Sequence, residues 1–320
     1  MRILMSFRYG NIGPADWLKK NFQKLGHDVF TVGPSSDPVV HHDIEEPDML
    51  EQLNGGIYYY DVKKIVDNHG SFDFILQVEP GTFLYNLDEV ETPNAAWLID
   101  SVLLPDNPFI AKIGGGDYIG QIGHIFTAKY NHIPRYWSHG IKHVSHLPLA
   151  CEPEVHEEVE KEKVYDVIFL GNTEYAERKH FLDLLRLRYN TFIGTGYIYR
   201  YYAEKIAQAK ICFNHGHVGE MNMRFFELMA MGAFQVCNIV HAQELLGFED
   251  GIHLVNYVCD ADLISIIDRY LHGGDERSLA ERRREIAQNG KKKVLAEHTY
   301  RHRAEHILAT IFPDLDSEVN

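Results

Sequence analysis

Short apolar runs alternate with helix-patterned segments along most of the chain, which predicts an α/β protein built on mainly parallel sheets. Arg2–Phe7 reads as the first strand. After the loop Arg8–Gly13, Pro14 opens an amphipathic helix over Ala15–Leu25 that Gly26 closes. Proline in the first turn and glycine just past the last are helix start and stop signals. Further strands are predicted at Val29–Gly33, Phe72–Val78, Ala95–Asp100, Ile125–Ala128 and Val144–Leu149. Glu152–Lys163 is charged and lacks apolar periodicity, so it reads as a linker. The alternation restarts with the strand Tyr165–Gly171, the helix Glu177–Tyr189, the strand Thr191–Gly194 and the helix Tyr201–Ala209. The strand Ile211–Asn214, the helix Asn222–Met231 and the strands Phe234–Cys237 and Ile252–Val258 follow, and helices fill most of Asp262–Phe312. Two Rossmann-like domains in tandem are expected, over 1–151 and 164–299. They would leave a cleft faced by the carboxyl ends of their strands, where open parallel sheets bind ligands.

A length of 320 residues also favours two domains, and the 45% apolar and 24% charged fractions are those of a soluble globular protein. The formal net charge of −15 argues against nucleic acid as a principal partner. The densest basic run, Arg282–Arg284 with Lys291–Lys293, is interspersed with Glu281 and Glu285 and reads as a solvated helix face. Cys151, Cys212, Cys237 and Cys259 form no C-x-x-C pair, and three of them sit in or beside apolar runs, as buried thiols do. No stretch reaches the ~20 apolar residues of a membrane span, and the opening MRILMSFRYG lacks the apolar core of a signal peptide. The expected location is the cytoplasm.

The most informative stretch is Gly219–Gly232, GEMNMRFFELMAMG. Asn222 is a competent N-cap, and the unpaired N–H groups of a helix start suit a phosphate. Arg224 and Glu227, three residues apart, share one helical face. The cation can neutralise a diphosphate, and the carboxylate can accept two hydrogen bonds from a ribose diol. On spacing alone, an Arg–Glu surface pair on an amphipathic helix is the favoured reading of the two. His298, His302 and His306 repeat every four residues on one helix, but a zinc site needs further ligands. Asp260 and Asp262 stand just before a helix, where aspartate caps. No metal is assigned. No G-x-G-x-x-G with a downstream acid follows the first strand, so a dehydrogenase is disfavoured.

MRFFELMAMGAFQV resembles the FEAMACGAF-type signature of GT-B glycosyltransferases, and the chain is similar to the spore maturation protein CgeB group of that superfamily. The segments that carry the resemblance are AAWLIDS (Ala95–Ser101), LPLACEPEVH (Leu147–His156), YDVIFLGN (Tyr165–Asn172), AKICFNHG (Ala209–Gly216), MNMRFFELMAMGAF (Met221–Phe234) and EHTYRHRAEHIL (Glu297–Leu308). It covers roughly residue 72 to the end. It implies a GT-B fold, with a C-terminal helix, 300–320, packing back on the first domain. It further implies a retaining, metal-independent transfer from a nucleotide-diphosphate sugar, with a UDP-sugar the expected donor and a glycan, protein or small molecule the acceptor.

At matching positions the resemblance places Glu227 on the nucleotide ribose. Relatives carry a second glutamate eight residues earlier, near the sugar; here that position is Gly219. Either the loop presents Glu220, or the role is lost or filled by Asn222. Asn172 closes the FLGN segment and is a further donor-site candidate. Arg178 and Lys179, which follow it, occupy positions where relatives keep basic residues for the diphosphate, or else form a solvated first helical turn. The loop Gly10-Asn11-Ile12-Gly13 resembles the one that lines the acceptor side. Asp100, at a strand end in the first domain, is placed to orient or deprotonate an acceptor hydroxyl, or else to cap the next turn. Two rival readings stand beside the transferase. A sugar-nucleotide epimerase of the same fold would return an isomer, and a non-catalytic nucleotide-sugar or carbohydrate-binding protein would bind without turnover.

Overall fold

The computed structural model describes residues 1–10, 13–35, 41–51, 56–78, 82–100 and 116–314. Asn11 and Ile12 of the glycine-containing loop, Ser101, and 315–320 of the C-terminal segment lie outside the described residues. The chain divides into two compact units, Met1–Pro148 with Tyr300–Asn320, and Leu149–Thr299.

In chain order the first unit comprises β1 (Arg2–Ser6), α1 (Pro14–Lys24), β2 (Asp28–Val32), β3 (Met49–Glu51), β4 (Ile57–Asp61), α2 (Val62–His69), β5 (Phe74–Val78), β6 (Thr82–Tyr85), β7 (Asn94–Leu98), α3 (Gly116–Gly120), β8 (His124–Thr127), α4 (Ile133–Ser138) and β9 (Val144–His146). Its main sheet is parallel throughout, in the order β2-β1-β5-β7-β8-β9. A small sheet, β3-β4-β6, and the helix α2 were not anticipated. Asp61 ends β4 and caps α2, accepting the N–H groups of Lys63 and Lys64. Alternate residues of the main strands serve opposite faces. Leu4, Ile75, Ala96 and Ile125 pack with Tyr60, Phe83, Ile119 and Tyr136 of the small sheet and its helices.

The second unit carries β10 (Tyr165–Leu170), α5 (Ala176–Arg188), β11 (Thr191–Gly194), α6 (Tyr199–Ile206), β12 (Ala209–Asn214), α7 (Met223–Ala230), β13 (Gln235–Asn238), β14 (Val255–Tyr257), α8 (Asp260–His272) and α9 (Glu276–Glu297). Its five strands are parallel in the order β11-β10-β12-β13-β14. Helices cover both faces. Val167, Phe169, Ile211 and Phe213 pack on Phe181 and Leu185 of α5 and Leu263 and Ile267 of α8. Ile168, Leu170 and Cys212 pack on Ala203 and Ile206 of α6 and Leu228 of α7. The chain then returns to the first unit as α10 (Tyr300–Ile311), which lies against α1. Tyr300, His306 and Phe312 set their rings against Trp97, Phe126 and Phe74 on the sheet face opposite the small sheet.

Three sequence expectations change. The strand read over Val144–Leu149 stops at His146, and the one read over Ile252–Val258 shrinks to Val255–Tyr257. In the latter, Gly251 turns the chain at φ 72° and hydrogen-bonds back to Leu254. Glu152–Lys163 is part of the second unit, with Glu152 and His156 buried and Glu158 bound by Lys291 and Gln288 of α9. Its charged pattern reflects partners far along the chain.

Burial drives the imidazoles of His42 and His146, both in the first unit, down from the usual 6.5 to about 4, with Lys19 and Arg303 adding repulsion. The unfolded chain takes up these protons below pH ~6.5 and the folded chain resists until about 4, so stability is full above that range and falls through it on acidification. Thermal melts should therefore show a lower midpoint at about pH 5 than at about pH 7.5, with the difference reduced in His146→Gln. An unchanged difference in the variant contradicts the assignment.

Candidate functional site

The order of the second sheet reverses between β10 and β12, since β11 lies on one side of β10 and β12 to β14 lie on the other. Loops that leave the carboxyl ends of strands at such a switch form the usual ligand crevice of an open parallel sheet. Here they are the turn after Leu170 and the segment His215–Asn222.

Two guanidinium groups converge there. Arg224, in the first turn of α7, lies 4.5 Å from the centre of the Phe169 ring and donates to Asn214 Oδ1 at 3.2 Å. It reaches this position over Gly171, whose φ is 146° and at which a side chain would collide with the guanidinium. Asn214 is fully buried at the end of β12 and exchanges amide hydrogen bonds with Asn222, at 3.2 and 3.3 Å. Asn222 in turn caps α7 by accepting the N–H of Phe225 at 3.1 Å. The same amide therefore starts the helix and fixes the group that orients Arg224. The helix is anchored by Phe225, Phe226, Leu228 and Met229, none of them accessible to solvent.

Arg178, in the first turn of α5, is only 4% exposed. It donates twice to the carbonyl of His215, at 2.8 and 3.2 Å, and once to that of Asn172, at 2.7 Å. Tyr175 and Phe169 lie under its guanidinium at 4.9 and 5.6 Å. Burial and the neighbouring Arg224 both lower its pKa. Among the described residues neither arginine forms an ion pair with a carboxylate. A buried and a half-buried cation, with no carboxylate in direct contact among the described residues, constitute a site for a ligand with more than one negative charge.

Glu227, further along α7, meets a different set of partners. Its side chain is nearly buried and its Oε1 lies 3.5 Å from His156 Nε2. The buried Tyr202 phenol sits against it and is raised well above its usual pKa, first by burial and then by the Glu227 charge. The i,i+3 pair that spacing allows between Arg224 and Glu227 does not form, because Asn214 and Phe169 draw the guanidinium away.

The remaining candidates occupy separate places. Lys179 is exposed on α5, pointing away from buried Arg178. Asn172 is exposed and its side chain accepts the N–H of Glu174, while its carbonyl serves Arg178. Glu220 is half-buried at the end of a tight turn, Val218 and Gly219 being left-handed at φ 51° and 71°. Its charge acts favourably on Arg178. The turn is held by His241, whose N–H donates to the Gly219 carbonyl at 2.7 Å, and by Asn238, which hydrogen-bonds both backbone groups of Gly216. In the first unit, Gly13 is the N-cap residue of α1, its N–H donating to Asp16. Asp100 lies two residues beyond the end of β7, not within it, and pairs with Lys129 at 3.8 Å.

Asn214, Tyr202 and His156 were not anticipated. Two of them lie in segments that carried the family resemblance, AKICFNHG and LPLACEPEVH, and that was their one signal. The histidine and aspartate series resolve into structural contacts. His298 packs on Phe226 and Phe248, Asp260 pairs with His180, and Asp262 accepts the N–H of Val258. Among the described residues no group of three or more His, Cys, Asp or Glu is arranged to hold a metal ion, and no helix is long and apolar enough to cross a membrane.

Residues 154–309 match a family model described as glycosyl transferase-like. No curated protein matches the chain significantly. Among solved structures, a sucrose-phosphate synthase from Thermosynechococcus elongatus aligns at a TM-score of 0.63 and 10% identity over 99% of both chains. An α-glucosyltransferase solved with UDP and DNA aligns at 0.65 and 12% identity over 97% of this chain and 99% of that one. HepE of Anabaena, solved with UDP and glucose, aligns at 0.63 and 12% identity over 99% and 100%. At such identities the likeness is one of fold.

Because Gly171 combines a left-handed φ with contact to Arg224, Gly171→Ala should destabilise the protein by more than the ~1–2 kcal/mol of backbone strain alone. Gly140, at φ 81° with nothing near its missing Cβ, supplies the control, since Gly140→Ala adds only that strain. Equal losses in denaturant unfolding of the two variants would contradict the packing described for Arg224.

Proposed function

We propose, for a chain that has the GT-B fold and carries a glycosyl transferase-like domain over residues 154–309, that it moves a sugar from a nucleoside-diphosphate sugar to an acceptor hydroxyl. The observation that carries this reading is the pair of arginines at the β10/β12 switch, buried Arg178 and half-buried Arg224, neither of them ion-paired with a carboxylate among the described residues. The donor's diphosphate would occupy that position, with the N–H groups at the start of α7 and the Asn222 amide beside it. Glu227, nearly one turn further along the helix from Arg224, is assigned the ribose. Glu220, which shares the loop, and Asn222 are the candidates for the sugar. The exposed Asn172 and Lys179 are left with a peripheral role at the mouth of this site. UDP is the expected nucleotide, consistent with the UDP in the structures that share the fold. The six segments quoted above support placement in the CgeB group.

In the transfer, the bond between the anomeric carbon and the diphosphate oxygen breaks while the acceptor oxygen bonds to that carbon from the same face. The acceptor proton passes to the departing phosphate oxygen. Negative charge develops on that oxygen, and the two guanidiniums and the helix N–H groups are already oriented to receive it, so little reorganisation accompanies the step. No carboxylate of the second unit is assigned as a nucleophile. The acceptor, a glycan, protein or small molecule, is assigned to the first unit, with Asp100 orienting its hydroxyl and Gly13 lining its path.

Arg224→Ala should weaken UDP by about tenfold or more and leave uridine nearly unchanged, because only the diphosphate loses a charge-assisted contact. Glu227→Ala should weaken both ligands alike, by about 1.5–3 kcal/mol. Calorimetric titration that finds UDP affinity intact in both variants places the donor elsewhere. Transfer should persist in EDTA and yield a product with the donor's anomeric configuration by NMR. Loss of activity in EDTA with rescue by a divalent ion, or inversion, contradicts the mechanism.

A further inference from the structure

We infer that His156 is a positioning residue for the donor's ribose, holding the Glu227 carboxylate in the orientation that accepts the ribose diol. The inference rests on the donor reading above.

His156 closes a tight turn at the start of the second unit. Its backbone N–H and that of Val155 donate to the Glu152 carbonyl at 2.9 and 3.0 Å, and the Glu152 N–H donates to His156 Nδ1 at 3.0 Å. An Nδ1 that accepts a backbone N–H leaves the proton of the neutral ring on Nε2. That nitrogen faces Glu227 Oε1 at 3.5 Å, with 6% of the His156 side chain and 12% of the Glu227 side chain exposed. The ring also meets Tyr202 edge-on, at 6.4 Å between centres, and Tyr202 is the second group set against the same carboxylate.

The chemistry of these neighbours differs from that of an ion pair. A carboxylate offers about four lone-pair positions, and a buried one must have donors. An arginine would take two of those positions and cancel the charge. A neutral imidazole N–H and a phenol orient the carboxylate without neutralising it, so its remaining lone pairs and its charge are left for two incoming hydroxyls. Arg224, the cation nearest along the helix, is held off by Asn214 and Phe169. His156 therefore acts on the nucleotide through Glu227, and its effect should be confined to the ribose.

The two ring nitrogens can be separated by substitution. Asparagine places an acceptor near the Nδ1 position and preserves the Glu152 turn, whereas glutamine places a donor near the Nε2 position and preserves the approach to Glu227. Calorimetry on the full chain with UDP and 2′-deoxy-UDP then reads the ribose alone. In His156→Asn the preference for UDP over 2′-deoxy-UDP should fall by about tenfold, with the affinity for 2′-deoxy-UDP nearly unchanged, and His156→Gln should restore most of the preference. A His156→Asn protein that keeps the wild-type preference, or that loses affinity for both ligands equally, overturns the inference. So does a His156→Gln protein that loses the preference as fully as His156→Asn. Glu227→Ala separates the two levels. If it abolishes the preference while His156→Asn does not, only the role of His156 fails. If it leaves the preference intact, or if UDP does not bind the wild-type chain, the donor reading itself fails.

Discussion

Two guanidinium groups held near one aromatic ring in a largely buried position repel one another and lose hydration, so they persist only where other groups fix them. Around Phe169 those groups are polar and uncharged: the carbonyls of His215 and Asn172 for Arg178, and the Asn214 amide for Arg224. The rest of the site follows from this arrangement. Gly171 lacks a side chain because Arg224 crosses it, and Asn222 couples the cap of α7 to the Asn214 amide that orients Arg224. The positive charge is thereby preorganised, with no carboxylate among the described residues in direct contact with it, as the leaving group of the proposed diphosphate-sugar donor requires.

The parallel sheet puts these parts in one place. Residues from the ends of β10 and β12 meet because the strand order reverses between them, and α7 presents its first turn to the same point because its apolar side is locked inside the unit. The polar links extend outward from there. Asn238, at the end of β13, clamps Gly216, and Asn256 on β14 donates to the Asn238 carbonyl at 3.4 Å. Loop geometry at the site thus depends on residues from three successive strands.

The strand–helix alternation was legible because each main strand is a compact apolar run bounded by glycine, proline or a capping residue. The Asn222 cap was legible for the same reason. The β3-β4-β6 sheet was not, since its strands are short, and three consecutive tyrosines in β4 give no period-2 contrast. Arg178 and Lys179 look alike as adjacent cations; only the packing of α5 against Phe169 and Tyr175 puts one inside and the other outside. Arg224 and Glu227 share a helical face by spacing, yet the structure sends them to different partners. His156 sits in a stretch that reads as a charged linker, and its meaning depends on Glu227, 71 residues later. Pairings of this kind arise from tertiary contacts that no local pattern encodes.

The most direct test of the central claim is a crystal structure of the chain with UDP. The account predicts both phosphates within hydrogen-bonding distance of Arg178, Arg224 and the first N–H groups of α7, with the ribose hydroxyls on Glu227. A nucleotide whose phosphates touch neither arginine would contradict it.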